Sequence, residues 1–175
     1  MHQFLGTIDS VDTWIANALA LSDAHGFRQW HAGASVLKAW LLATRHKSPE
    51  YDALDQLREG IARWRTCGAN SISPYFDCLL GDALFRHDRG EEGLRVLAGA
   101  QVLIDATEDR QHEAELFRIR GEILLKQLGD GSEAEMCFRR SLAIARSQRA
   151  KSWELRAAMS LARLWRGQGK AAGGP

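Results

Sequence analysis

The chain has 175 residues, of which 45% are hydrophobic and 26% are charged, and it contains only 3 prolines. This composition is ordinary for one globular domain and argues against intrinsic disorder, and the longest near-continuous apolar stretch, residues 36–43, is too short to span a bilayer. The formal net charge of +1 combines an acidic excess in residues 1–110 (11 Lys and Arg against 15 Asp and Glu) with a basic excess in residues 111–175 (12 against 7).

Composition also bears on compartment and cofactors. The first residues lack the basic start and the apolar run of a secretory signal. The 3 cysteines, Cys67, Cys78 and Cys137, are odd in number and widely spaced, which suits reduced thiols better than a disulfide framework or a zinc site. We therefore expect a cytoplasmic protein without a membrane segment, a metal or a cofactor.

Apolar residues recur with the period of an α-helix through nearly the whole chain, and strand-like alternation is almost absent. In chain order, the pattern predicts helices over about residues 10–23, 27–45, 54–64, 72–88, 91–107, 111–128, 132–148 and 152–167. Four tryptophans lie on or beside these apolar stripes and are expected in the core. They are Trp30, Trp40, Trp64 and Trp153.

Residues between the stripes indicate where the helices begin and end. Ser48-Pro49 and Ser73-Pro74 have the form of an N-cap followed by a proline in the first turn. Ser132, with Glu135 three residues later, predicts a capping box. The glycines expected to close helices in the left-handed conformation are Gly26, Gly68, Gly90 and Gly129.

Small and large residues recur at a period of about 40 residues. Gly81 and Gly121 are equivalent, and so are Gly60, Ala100 and Ser141. Such a period predicts stacked helical hairpins, with small residues where two helices cross closely. We therefore expect an all-α, right-handed superhelical solenoid of antiparallel helix pairs, with seven or eight helices over residues 1–167 and a disordered tail over 168–175.

The spacing of these residues resembles the tetratricopeptide repeat. The best-matching segment follows that repeat's order of large and small residues with Phe117, Gly121, Leu124, Ala134, Phe138 and Ser141. The segment from Pro74 matches less well because Asp77 stands at its first large position. The period of this chain is also longer than the usual period of that repeat, which is about 34 residues.

Short phrases along the chain carry a second resemblance. The strongest are residues 133–145, continued by 154–158 and 161–165, and weaker ones include His2-Gln3-Phe4. Their order resembles the C-terminal helical arrays of large bacterial proteins with a nucleotide-binding ATPase module, some preceded by a class III adenylate or guanylate cyclase domain. The chain has no phosphate-binding GxxxxGK[ST] motif, so the resemblance implies a sensor or regulatory array without the catalytic activities. The segment before Gly26 looks like the second helix of a truncated repeat.

The tetratricopeptide resemblance implies a concave groove lined by the first helix of each pair. The residues placed there are Tyr75, Cys78, Asp82, Phe85, Arg86, Glu115, Arg118, Glu122, Leu125 and Lys126, with Glu154, Ala157, Leu161 and Leu164 in the closing helix. Mixed charges and two aromatic anchors predict a peptide or protein ligand. The competing interpretation is a solvated helix face without a ligand.

Three further predictions concern the rest of the chain. Leu164 and Trp165 predict an apolar patch at the C-terminal end of the array, through which the chain would self-associate, as a homodimer, or dock to another chain. The basic residues between Arg139 and Lys170 give an alternative function, nucleic-acid or transcription-complex binding, which we rank below a solvated face. Since no histidine or cysteine lies in a catalytic or metal-binding motif, we expect no catalytic residues and a non-enzymatic protein.

Overall fold

The computed structural model describes residues 8–45, 53–68 and 72–169, and within these ranges it contains eight α-helices and no strand. The helices are α1 (Ile8–Ala24), α2 (Arg28–Arg45), α3 (Ala53–Thr66), α4 (Ser73–Arg86), α5 (Gly90–Thr107), α6 (Glu113–Ile123), α7 (Gly131–Ser147) and α8 (Lys151–Gly167). A π-helical turn, Leu124–Leu128, extends α6. The all-α prediction is confirmed. Each predicted helix begins and ends within a few residues of the corresponding observed helix, when the π-helical turn is counted with α6. None of the described helices combines the length and apolarity needed to cross a membrane.

The helix ends confirm some of the predicted signals. Gly26, Gly68 and Gly129 have positive φ, as expected for closing residues. The prediction for Gly90 is wrong, because Gly90 begins α5 and Asp88, with φ 60°, takes the left-handed conformation instead. A Cβ at Gly90 would lie 2.2 Å from the side-chain oxygen of Gln127, so the end of the Gln127 side chain would have to shift to make room for it.

Two predicted N-caps are also wrong. Asp130 caps α7 in place of Ser132, and its carboxylate accepts hydrogen bonds from the backbone N–H groups of Ser132 and Glu133, each at 3.0 Å. Ser73 lies inside α4, which Ile72 precedes in a left-handed conformation, although Pro74 does occupy the first turn. Ser48-Pro49 lies outside the described residues.

Only part of the predicted tail, residues 168–175, can be compared with the structure. Gln168 and Gly169 close α8, with their backbone N–H groups donating to the carbonyls of Leu164 and Arg166. Residues 170–175 lie outside the described part of the chain, as do residues 1–7 with the phrase His2-Gln3-Phe4.

The helices pack in a regular order. Each described helix contacts the next one along the chain, and α2, α4, α6 and α8 also contact one another in that order. Among the described residues, the odd-numbered helices make no comparable contacts with each other. The even-numbered helices therefore form one layer and the odd-numbered helices form the other.

The small residues of the 40-residue period lie where these layers meet. A Cβ on Gly81 would lie 3.0 Å from Leu97, and a Cβ on Gly121 would lie 2.6 Å from the ring of Phe138. Ser141 is 1% exposed, and its hydroxyl donates to the carbonyl of Ala114 at 2.6 Å. Close approach of the helices therefore explains why these positions carry small side chains.

The four tryptophans expected in the core differ in their surroundings. Trp64 and Trp153 are buried, and Trp40 is half-buried against the same core cluster. The prediction for Trp30 is wrong, since this side chain on α2 is 67% exposed. No helix of the described ranges packs over it.

Candidate functional site

Two groups of interacting polar side chains lie on the layer of even-numbered helices, and the charge of Asp82 in the first group acts on Arg118 in the second. We call these nine residues the polar seam: Trp40 on α2, Asp82 and Arg86 on α4, Glu115, Arg118 and Glu122 on α6, and Arg156, Ser160 and Arg163 on α8. Each helix of the layer contributes at least one residue, so the packing of successive even-numbered helices builds the site.

The seam begins where Trp40 and Arg86 meet one carboxylate. The indole Nε1 of Trp40 donates to Oδ2 of Asp82 at 3.3 Å, and Nε of Arg86 donates to the same oxygen at 3.1 Å. The Asp82 side chain is 14% exposed, whereas that of Arg86 is 52% exposed. Asp82 therefore joins α2 to α4 from a sheltered position, with the guanidinium on its solvent side.

Arg118 is the centre of the seam. Its Nε and Nη2 donate to the two carboxylate oxygens of Glu115, both at 2.8 Å, and its Nη1 donates to Glu122 at 3.4 Å. The side chains of Arg118 and Glu115 are only 10% and 5% exposed. Burial acts against the Arg118 charge, but attraction to Glu115, Asp82 and Glu122 outweighs it and raises the pKa of Arg118 above its ordinary value. The guanidinium is therefore permanently charged.

The carboxylates of α6 also hold α8. Nη2 of Arg156 lies 2.9 Å from Oε1 of Glu115. Oε1 of Glu122 accepts hydrogen bonds from the Ser160 hydroxyl at 2.6 Å and from Nη2 of Arg163 at 2.8 Å. Each of the two carboxylates thus serves both α6 and α8.

The charges of this face are arranged by depth. The carboxylates lie in its floor, with side-chain exposures of 5% for Glu115, 14% for Asp82 and 25% for Glu122. The cations at the rim are more exposed, at 52% for Arg86 and 55% for Arg163. The face therefore presents positive charge to solvent although its floor is acidic.

Phe85 and Lys126 extend this rim beside the seam. Both were predicted for the groove, and Nζ of Lys126 lies over the ring of Phe85, 5.1 Å from its centroid. Phe85 is half-buried and Lys126 is exposed. An exposed ammonium on an aromatic face is a modest interaction, so the ammonium remains available to an anion.

Four of the residues predicted for the groove on α4 and α6 are buried instead of exposed. Glu115 and Arg118 lie in the floor, Cys78 is fully buried, and Tyr75 is 7% exposed. The ring of Tyr75 stacks on His112 with centroids 4.5 Å apart. Contact between successive even-numbered helices covers these positions, so Tyr75 is a core residue and not a surface anchor.

The register of α8 explains why the predicted closing residues are displaced. Helix α8 begins 38 residues after α6 (151 − 113), whereas the predicted closing residues assume a spacing of 39 from Glu115, Arg118, Glu122 and Leu125. The positions facing α6 are consequently those of Arg156, Ser160 and Arg163. Three residues predicted for the groove, Ala157, Leu161 and Leu164, are buried in the core, and the fourth, Glu154, binds Arg146 and Lys151.

Sequence reasoning missed Trp40, which it assigned to the core, and the three seam residues of α8. A usable signal was the spacing of the charges themselves, since the sequence separation is 41 between Glu122 and Arg163 and 42 between Trp40 and Asp82. That spacing is close to the repeat period found with the glycines.

The predicted patch at the C-terminal end has a different composition in the structure. Leu164 is 3% exposed and packs with Leu161 and Phe138, and the half-buried Trp165 lies beneath the guanidinium of Arg139, 5.3 Å from the ring centroid. These two residues therefore do not form an exposed patch. The exposed apolar residues of α8 are Leu155 at 61% and Met159 at 51%.

Most of the basic residues considered for nucleic-acid binding are paired with carboxylates. Arg146 and Lys151 both contact Glu154, and Arg139 contacts Glu135. Arg86 and Arg163 are paired in the same way, so pairing reduces the positive charge available to an anionic ligand on both surfaces. Arg156 and Arg163 belong to the seam, as described above.

Among the described residues, metal-binding groups of side chains are absent, the thiol of Cys78 is buried, and a cavity lies apart from the seam. They contain no group of three or more His, Cys, Asp or Glu side chains placed to hold a metal ion. Burial raises the pKa of the Cys78 thiol well above its ordinary value, which disfavours the thiolate. An open cavity of about 280 Å³ lies between the α1–α2 turn and the end of α3, and its lining includes Arg28, His31 and Cys67 but no seam residue.

The candidate site is thus built from the four even-numbered helices of an all-α fold. Comparison with protein-family models gave no match, and comparisons with curated proteins and with solved structures gave none either.

Proposed function

We propose that this protein is a non-enzymatic interaction module, a solenoid of tetratricopeptide type that binds a protein or peptide segment along the face formed by α2, α4, α6 and α8. Contact between successive even-numbered helices and the small residues at the 40-residue period support this architecture. The face runs across all four helices, which suits an extended ligand.

The observation that carries the proposal is the separation of charges in the polar seam. Asp82, Glu115 and Glu122 are engaged in the floor, whereas Arg86 and Arg163 have half or more of their side chains in solvent. With Arg118, Arg156 and Lys126, the face carries five cations against three carboxylates. Its ligand would be an acidic segment that also carries apolar side chains for contact with Phe85.

We further propose that the module is the sensor or regulatory arm of an ATPase or cyclase signalling system. This step rests on the resemblance of residues 133–145 and 154–165 to the helical arrays of such bacterial proteins. The bound segment would then belong to a catalytic partner and the array would report its presence.

The rim cations allow a test, with circular dichroism to verify that each variant keeps its helices. A displayed library of random peptides would be selected on the protein, and the enriched peptides measured by fluorescence anisotropy. Arg86→Glu, Lys126→Glu and Arg163→Glu combined should weaken binding at least about tenfold, because like charges then face the acidic ligand. Raising the salt concentration should weaken binding to the parent protein.

The matched control reverses three exposed cations on the odd-numbered helices, Arg63, Arg139 and Arg146. The change in net charge is the same, but the face is untouched, so binding should persist. Equal loss in the two triple variants, or no enrichment of acidic peptides, would refute the proposed site.

A further inference from the structure

The two end helices of the described chain have complementary roles in the packing order. The even-numbered helices α2, α4 and α6 each form a pair with the odd-numbered helix that follows, as α2 does with α3. Helix α1 precedes α2 as α3 precedes α4, so α1 corresponds to the second helix of a pair. Helix α8 follows α7 and contacts α6, so it takes the part of a first helix. Within the described residues, α1 has no first helix before it and α8 has no second helix after it.

The register of α1 follows from its likeness to α7. Both have 17 residues, and the left-handed residues after them, Gly26 and Arg149, are 123 positions apart (149 − 26). The next backbone N–H donates to the equivalent carbonyl in each case, Phe27 to Ser22 at 2.8 Å and Ala150 to Ala145 at 2.9 Å. The two helices therefore align residue by residue at this offset.

This register shows which side chains of α1 correspond to covered positions of α7. Trp14 and Leu21 stand where α7 has Cys137 and Ile144, which are half-buried in a cluster that includes Phe117 of α6. On α1 the equivalent side chains are 64% and 61% exposed. They occupy the positions that would face a first helix.

The same comparison applies to α8. When the first residues of α6 and α8 are aligned, Leu155 and Met159 stand where α6 has Phe117 and Gly121. Gly121 packs against the ring of Phe138 on α7. Leu155 and Met159 are 61% and 51% exposed and therefore mark the face on which a second helix would pack.

We propose that a second copy of this chain covers both faces, with α8 of one copy packing against α1 of the next to form a pair like α6 and α7. Charge favours this arrangement, because α1 contains three Asp and no Lys or Arg, whereas α8 contains four Lys and Arg and one Glu. The formal net charges of the two helices are −3 and +3, and part of that charge is already paired within one copy: Asp12 with Arg45 of α2, and Arg156 and Arg163 with Glu115 and Glu122 of α6. A symmetric α8–α8 or α1–α1 contact would instead bring like charges together.

A further apolar residue extends the acceptor surface. Trp30 on α2 is 67% exposed, and α2 is the even-numbered helix that α8 of the neighbouring copy would contact, as α6 contacts α8 within one copy. The contact is head-to-tail, so it continues the array from copy to copy, as a ring or an open filament, and does not form a two-fold symmetric dimer. Trp14, Leu21, Trp30, Leu155 and Met159 all lie outside the polar seam, so this association stands or falls independently of ligand binding.

Analytical ultracentrifugation over a concentration series tests the proposal on the chain itself. We expect the average mass to rise with concentration and to fall when salt is added. Trp14→Asp and Met159→Asp should each reduce the mass to that of the monomer, while Val102→Asp, at a 69% exposed position on α5, should leave the association unchanged. Circular dichroism would verify that each variant keeps its helices.

Mixing the two end variants gives the sharpest result. The Trp14→Asp copy keeps a normal α8 and the Met159→Asp copy keeps a normal α1, so an equimolar mixture should form a dimer and nothing larger. A parent protein that stays monomeric at the highest concentration would overturn the proposal. So would a monomeric mixture, or loss of association in Met159→Asp alone, which would indicate a symmetric contact between α8 helices.

Discussion

A large charged side chain is buried in the middle of the fold, whereas two large apolar side chains are exposed at the α1–α2 end. Around α6, the guanidinium of Arg118 is 10% exposed and donates hydrogen bonds to two glutamates. At the α1–α2 end, Trp14 and Trp30 are both more than 60% exposed. The difference shows that residue type alone does not decide burial in this fold: a neighbouring helix on each side does.

Removing the centre of the seam should give the largest effect. Arg118→Ala removes both hydrogen bonds that Arg118 donates to the buried Glu115 and leaves this carboxylate with Arg156, so we expect the free energy of unfolding to fall by up to about 3–5 kcal/mol. Urea denaturation followed by circular dichroism would measure it. Arg163→Ala, at a 55% exposed side chain, should cost less than about 1 kcal/mol. Similar losses in both variants would contradict the assignment of Arg118 to a buried centre.

Close packing at the helix crossings should give the next effect. Gly121→Ala places a methyl group 2.6 Å from the Phe138 ring, and we expect a loss of about 1–3 kcal/mol in the free energy of unfolding. Gly99 is the matched control, because it lies within α5 with no atom within 4 Å of an added Cβ. Gly99→Ala should stabilise the protein by up to about 1 kcal/mol through helix propensity. Thermal unfolding of the pair would separate packing from propensity.

The pH dependence of stability should identify an unfavourably buried carboxyl group. Burial raises the pKa of Asp77 to about 6, although Arg65, 2.7 Å away, acts to lower it. Because the pKa of Asp77 is higher in the folded chain than in the unfolded chain, the protonated carboxyl group contributes to the free energy of unfolding. This contribution is fully present below about pH 4 and is lost as the pH rises through about 6.

We expect Asp77→Asn to be more stable than the parent near neutral pH, by roughly 1–3 kcal/mol, and to converge with it in acid. Burial lowers the pKa of His112, which therefore destabilises the fold in acid, but His112 is present in both proteins. The difference between their urea-denaturation profiles against pH isolates Asp77. A constant difference across the pH range would show that Asp77 does not titrate there.

Truncation at the exposed end should give the smallest effect. Trp30→Ala removes a side chain that is 67% exposed, and in dilute solution we expect the free energy of unfolding to change by no more than about 0.5 kcal/mol. Trp64→Ala, at a 2% exposed position, should cost about 3–5 kcal/mol. Equal costs would mean that Trp30 is covered in the monomer.

Much of the fold was predictable because it depends on local pattern. The helical period of the apolar residues predicted all eight described helices, and the recurrence from Gly81 to Gly121 predicted where helices cross closely. The candidate site was less predictable from the sequence. Asp82, Arg86 and Glu122 were placed on one face and do belong to the polar seam, where the charges of Asp82 and Glu122 both act on Arg118. The residues of α8 that complete this face were misassigned by one position, because α8 begins 38 and not 39 residues after α6.

The sequence by itself determined that the chain is helical, where its helices lie and that small residues recur about every 40 positions, because each of these follows from periodicity along the chain. Only the tertiary structure decided which apolar and charged residues are covered. Trp30 and Trp64 occupy similar apolar stripes, yet one is exposed and the other buried, because α4 supplies Phe76 against Trp64 and no described helix covers Trp30. Burial is a property of neighbouring helices, and a single helix does not encode its neighbours.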